Sequence, residues 1–142
     1  MYMLDTSMVQ HLFNDNPRVA ARYKSVQSVT FIGGIVVEEI IVRGFLVQIA
    51  NIRSGASKAD LERTFADLHN AIDTLAEFQK LPYTNGAEAI FKMLKSGKGS
   101  AKIKPMDGRI AAHALSLGMT VVTENVADFM VISGLAVENW VQ

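Results

Sequence analysis

Between Pro105 and Phe129 the chain reads PMDGRIAAHALSLGMTVVTENVADF, and no other stretch narrows the choice of fold as much. Pro105 opens a short helix in which Ala111, Ala112 and Ala114 are small enough to let it lie close on whatever sits beneath. Gly118 stops that helix, and Met119–Thr123 is a brief run without alternation, the pattern of a buried strand. Strands alternating with helices along the chain predict a mostly parallel sheet covered on both faces. Asp107 stands at the mouth of the helix, and Asp128 follows just past the strand. The carboxyl edge of an α/β sheet is where loops and helix N-termini converge and ligands bind. Two carboxylates brought there point to a metal site.

Earlier segments send more acid to the same edge. Tyr2–Leu4 is a short apolar run leading into Asp5-Thr6-Ser7, after which Met8, Val9, Leu12 and Phe13 recur at helical spacing. Asp5 alone reads equally as a helix N-cap and as a site carboxylate. A turn at Asn14–Pro17, a helix over Arg18–Val26 and a strand over Val29–Ile32 follow, with Gly33-Gly34 as a strand-to-helix turn. A long helix is then expected from Ile35 to Asn51, its first half deeply buried. Glu38 and Glu39 interrupt that apolar run, and a buried carboxylate is costly unless it is paired or metal-bound. If Glu39 faces the sheet edge, α-helical geometry turns Glu38 to the side of Val42, Phe45 and Ile49. Leu61, Phe65, Leu68, Ile72 and Leu75 form a seam that makes this segment the second arm of a helical hairpin. Leu81–Tyr83 reads as an edge segment, Asn85 as the cap of a helix through Lys95 with Ile90 and Leu94 inward, and Ser96–Ser100 as a flexible linker. Leu135, Val137 and Trp140 make a last edge strand.

Length and composition set limits. The 142 residues, 49% hydrophobic, fit one domain over 1–142 with a real core. The absence of Cys excludes a disulfide framework, Cys-ligated zinc and a thiol nucleophile. No apolar run approaches a membrane span, so a cytoplasmic protein without membrane attachment is the expectation. Fourteen basic residues balance fourteen acidic ones, unlike the basic excess of a duplex-DNA binder. Lys92, Lys95, Lys98, Lys102 and Lys104 nevertheless share a segment free of acids, either a phosphate-facing patch or a solvated helix end. His11, His69 and His113 lack metal-ligand spacing, and His113 reads as a packed or half-exposed helix residue.

Several carboxylates at one edge cannot all stay ionised without a cation. An all-oxygen donor set points to Mg²⁺, or Mn²⁺, and away from zinc. Such an ion can bind a phosphate oxygen, help deprotonate water and stabilise a leaving oxyanion, which is the chemistry of phosphodiester hydrolysis.

The chain resembles the PIN-domain ribonucleases, in particular the VapC toxins of bacterial toxin–antitoxin pairs. The resemblance is carried by Leu4-Asp5-Thr6-Ser7, the Glu38-Glu39 helix running to Arg43-Gly44, Asp107–Ala114, Val122–Phe129 and Gly134–Trp140, in the family's order. It implies a PIN-like α/β/α sandwich with a four- to five-stranded, mostly parallel sheet and a projecting helical hairpin. It also implies Mg²⁺-dependent endoribonuclease activity on RNA, a homodimer and neutralisation by a small VapB-type antitoxin. Carried over by position, Asp5 and Asp107 are the principal metal ligands, and Glu39 and Asp128 complete the acidic site. Thr6, Ser7, Lys98, Lys102, Lys104, Arg109, Thr123 and Asn125 are candidates for contacts to the RNA backbone, Thr123 and Asn125 also for ordering the loop. Two features depart from the family pattern: Val36 replaces a Thr, and Gly44 lies five residues beyond Glu39 where four is usual. The helix register therefore leaves Glu38 as an alternative to Glu39. A PIN-like nuclease working in RNA processing outside any toxin pair is the alternative function.

Overall fold

The computed structural model describes residues 1–97 and 103–142, so Lys98 and Lys102 lie outside the described residues. Five strands form one sheet: β1 (Tyr2–Leu4), β2 (Thr30–Gly33), β3 (Lys80–Leu81), β4 (Thr120–Val122) and β5 (Val137–Glu138), in the order β3-β2-β1-β4-β5. Every pairing is parallel. Leu4 stands opposite both Ile32 and Val122, so the three central strands end level with one another. Met3, Leu4, Ile32, Val121 and Val122 have no exposed surface, as an apolar strand covered on both faces requires. The parallel α/β architecture expected from the sequence is the one observed.

The helices are α1 (Thr6–Phe13), α2 (Pro17–Val26), α3 (Gly34–Glu38), α4 (Val47–Arg53), α5 (Leu61–Ala76), α6 (Asn85–Ser96), α7 (Pro105–Leu117) and α8 (Val126–Met130). Asn16 caps α2 through its side chain, with Pro17 where a missing N–H costs nothing. Gly118 ends α7 in the left-handed conformation, φ 64°, that its lack of a Cβ makes cheap. Ile110–Ala114 of α7 are all buried, and His113 among them is packed, 1% exposed, rather than half-exposed. Its ring lies where a Cβ on Gly33 would come within 2.8 Å of Nδ1, so the bare glycine that ends β2 is what admits it.

The long helix departs from expectation. Between α3 and α4 the segment Glu39–Leu46 is a π-helix, and the Val47 N–H reaches back to the Val42 carbonyl. One residue more than an α-helix would need is thus accommodated without breaking the rod. Ile35, Val36 and Ile40 are buried, but Val42, Leu46 and Val47 are about half exposed, so the deep burial expected of the first half fades within the π segment. The hairpin with α5 is present. Its seam runs through Thr64, Leu68, Ala71 and Leu75, while Ile72 faces outward. The steps of four and three are those expected, but Thr64 and Ala71 supply positions assigned to larger apolar residues. Thr84, not Asn85, caps α6 through a 3.0 Å bond from the Ala87 N–H. That shift of cap goes with Ala87 and Phe91, in place of Ile90 and Leu94, as the buried face.

Candidate active site

Asp5 leaves β1 where the strand order reverses: the chain runs outward from β1 through β2 and β3, then returns to add β4 and β5 on the other side. Its backbone N–H still pairs with the Val122 carbonyl at 3.0 Å. Its carboxylate is 2% exposed and fully engaged. Oδ1 accepts from the Ser7 hydroxyl at 2.7 Å and from the Met8 N–H at 3.0 Å, and Oδ2 accepts from the Thr123 hydroxyl at 2.5 Å. Asp5 is therefore the N-cap of α1 and a carboxylate at the sheet's carboxyl edge at once. Burial pushes its pKa up, against the opposing pull of hydrogen bonds from Thr123, Ser7 and Met8.

Asp107 lies in the first turn of α7 without serving as its cap. Burial, then the charges of Asp5 and Glu39, push its pKa up to about 6; Asp128 adds to the rise and Lys104 opposes it. The other three predicted carboxylates thus all act on Asp107 across the edge. Glu39 accepts from the Thr6 hydroxyl at 2.7 Å, which ties the π-helix to α1. Asp128, on the exposed side of α8, is the outermost of the four. Glu38 is not among the charges that act on Asp107; its own charge is felt by Tyr83 and Arg109.

The other candidates divide. Thr123 has no exposed surface; it donates to Asp5 and accepts from the Asn125 N–H at 2.9 Å, so it orders the loop. Ser7 is occupied likewise, donating to Asp5 and accepting from the Glu124 N–H at 3.2 Å. Asn125 and Lys104 are exposed, Lys104 facing Asp107. Arg109 is committed away from the edge. Its guanidinium meets Glu88 through two bonds of 3.2 Å and covers the Phe91 ring at 4.2 Å, and the Tyr83 hydroxyl donates to the same Glu88 at 2.7 Å. That network pins α7 to α6.

Beside Glu39 opens a cavity of about 460 Å³ that the sequence reading missed. Thr6, Gln10 and Phe13 line it from α1, with Arg43 and Phe45 from the π-helix and Gln48 from α4. Two signals were available: Gln10 stands one turn beyond Thr6, and Gly44 stands five residues beyond Glu39 instead of four.

The donor set suits a hard divalent cation. It is all oxygen, and at Asp107 the charges of Asp5, Glu39 and Asp128 add up while Lys104 opposes them. Among the described residues no three His, Asp or Glu side chains stand close enough to hold one ion. Mg²⁺ commonly uses only one or two carboxylates and keeps several waters, so Asp5 and Asp107 suffice.

A parallel α/β domain with its acids gathered at the strand-order reversal describes a class, and comparison with known proteins narrows it. The PIN domain family model matches residues 2–129. This chain belongs to the PIN domain family. Among curated relatives, ribonuclease VapC2 of Haemophilus influenzae is 29% identical over 99% of this chain and 98% of its own. A tRNA(fMet)-specific endonuclease VapC from Shigella flexneri is 26% identical over 98% of this chain and 97% of its own. Among solved structures, DNA-bound VapBC from Salmonella typhimurium aligns with a TM-score of 0.72 at 28% identity, covering 98% of this chain and 97% of that one.

Proposed function

We propose that this protein is a Mg²⁺-dependent endoribonuclease acting as the toxin of a type II toxin–antitoxin pair. One observation carries the proposal: Asp5, Glu39 and Asp128 all press on Asp107 at the sheet edge, in a chain whose full-length relatives are VapC ribonucleases. Asp5 and Asp107 would hold the cation, which when bound supplies positive charge to a phosphodiester and lowers the pKa of water. Thr123 and Ser7 fix the Asp5 carboxylate, and Thr6 fixes Glu39. Glu39 and Asp128 stand ready to take a proton from the attacking water, and Lys104 and Asn125 to meet the phosphate backbone. Lys98 and Lys102 stay in the proposal on sequence grounds alone, while Arg109, held by Glu88, leaves it.

Purified protein should cleave RNA with Mg²⁺ and stop in EDTA. Asp107→Asn should abolish cleavage, and Glu39→Gln should lower it at least ~10²-fold, as for loss of one positioned acid–base group, with Glu38→Gln within a few-fold. Equal losses in the two glutamate variants would remove Glu39 from the chemistry, and full activity in EDTA would remove the cation.

The VapB-type antitoxin and the homodimer belong to the same proposal. Val42, Leu46, Val47 and Ile72, each about half exposed on the hairpin, provide apolar surface for such contacts. Light scattering of the isolated protein should give the mass of two chains, and Leu46→Glu should halve it. A single-chain mass at working concentration would remove the dimer.

A further inference from the structure

The cavity beside Glu39 has a composition that catalysis of hydrolysis does not call for. Among the described residues the side chains of Gln10, Arg43 and Gln48 have no hydrogen-bond or ion-pair partner, yet all three line the cavity. Phe13 and Phe45, both half-buried, supply two ring surfaces to its walls. The π-helix supplies Arg43 and Phe45 and sets where Gln48, at the start of α4, falls, opposite Gln10 and Phe13 of α1. At i→i+5 spacing Glu39 and Gly44 fall near one face, with Arg43 and then Gln48 beside them, whereas an α-helix would carry Arg43 and Gln48 to different sides. Gly44 brings no side chain into that face. A Cβ there would come within 3.3 Å of the Glu39 carbonyl.

We infer that this cavity receives one unstacked nucleobase of the RNA, next to the bond that is cut, and that Gln10, Arg43 and Gln48 read it. The inference rests on the nuclease reading above. Flat aromatic surfaces suit a base, and a free guanidinium suits the sugar-phosphate or base edge attached to it. Arginine and glutamine both pair in bidentate fashion with the N7 edge of purines, so a purine is the expected occupant. The electrostatics give a direction. Beyond Phe13 and Phe45 the next hollow is lined by Asp15 and Asp67, which turn a polyanion away, while Arg43 draws it towards Glu39. The volume, about 460 Å³, lies within the range of small-ligand pockets.

The test uses the full chain carrying Asp107→Asn, so that bound RNA is not cut, and short uridine oligonucleotides with a single A, G, C or U at the centre. The parent should bind a purine-bearing oligonucleotide at least about tenfold more tightly than the all-uridine one. Gln10→Ala with Gln48→Ala, and separately Arg43→Lys, which keeps the charge but loses the fork, should bring all four within about threefold, with unchanged melting temperature. Undiminished discrimination in these variants overturns the inference, as does a parent that binds all four alike. Variants that keep discrimination but escape the antitoxin overturn it too, and make the cavity a protein-docking site. A wild-type protein that cuts no RNA, beside an Asp107→Asn protein that still discriminates, would sink the nuclease reading and leave the pocket standing.

Discussion

The hydroxyl of Thr123 has two duties that no apolar side chain can share. It donates to Asp5 at 2.5 Å and accepts from the Asn125 N–H at 2.9 Å, in a place without exposed surface. Thr123→Val keeps the shape and strips both bonds, so it should lower stability by about 1–3 kcal/mol, the cost of leaving buried polar groups unpaired. Cleavage should fall with it, and Thr123→Ser should recover most of the cleavage. If Val and Ser variants cut RNA equally, the hydroxyl does not position Asp5. Residue identity told part of this beforehand. Asp5 in the sequence was divided between cap and site, and the structure shows one oxygen serving the cap while the other is held by a residue from the far end of the chain. Nothing local to Leu4–Ser7 could reveal that second partner.

At the scale of elements, the alternation of strands and helices was legible because β1, β2 and β4 are short, largely apolar runs, with Asp5 after β1 and Gly33-Gly34 at the end of β2. The level ends of β1, β2 and β4 follow from it. What escaped was the interior of the long helix. A π segment has almost the same apolar pattern as an α-helix, so only the spacing from Glu39 to Gly44 betrayed the extra residue. Arg109 escaped for another reason: a basic residue near the acidic edge looked free until Glu88 and Phe91, a helix away, were seen to hold it. The contact between β2 and α7 invites a direct measurement. His113 is wedged between Gly33 and Tyr83, whose ring lies edge-on at 5.5 Å. Gly33→Ala should therefore cost about 1–3 kcal/mol by overpacking. In a His113→Ala background the same change should cost under about 0.5 kcal/mol, because the ring it meets has gone. Equal costs in both backgrounds would show that the ring is not the obstacle.

For the whole molecule, the acidic edge is an electrostatic load on folding in the absence of a cation. Asp107 stands at about 6 in the folded chain against an ordinary 3.8, so between those values the folded state holds the extra proton. That contribution favours folding at low pH and is lost as pH rises through 6. Asp5, also raised, acts in the same sense, and buried His113, lowered by desolvation, acts against it below its ordinary 6.5. In EDTA at pH 7.5, Asp107→Asn should melt a few degrees above the parent, from about 1–3 kcal/mol, and the gap should close as pH falls towards 4. Added Mg²⁺ should stabilise the parent alone. A gap that does not change with pH would show that the carboxylate's charge is not its source. Among the described residues no helix is long and apolar enough to cross a membrane.

The bond between Thr123 and Asp5 joins residues 118 positions apart, and that distance has a meaning in time. A ribosome adds about 5–20 residues per second, so Asp5 waits roughly 6–24 s after its own synthesis before Thr123 exists to hold it. Asp107 and Asp128 are late arrivals as well. A growing chain of this kind carries no assembled acidic edge, and on the function proposed above it becomes a nuclease only after most of the sequence has been made. On that same proposal activity and completion arrive together, and an antitoxin would have the whole period of synthesis in which to be waiting.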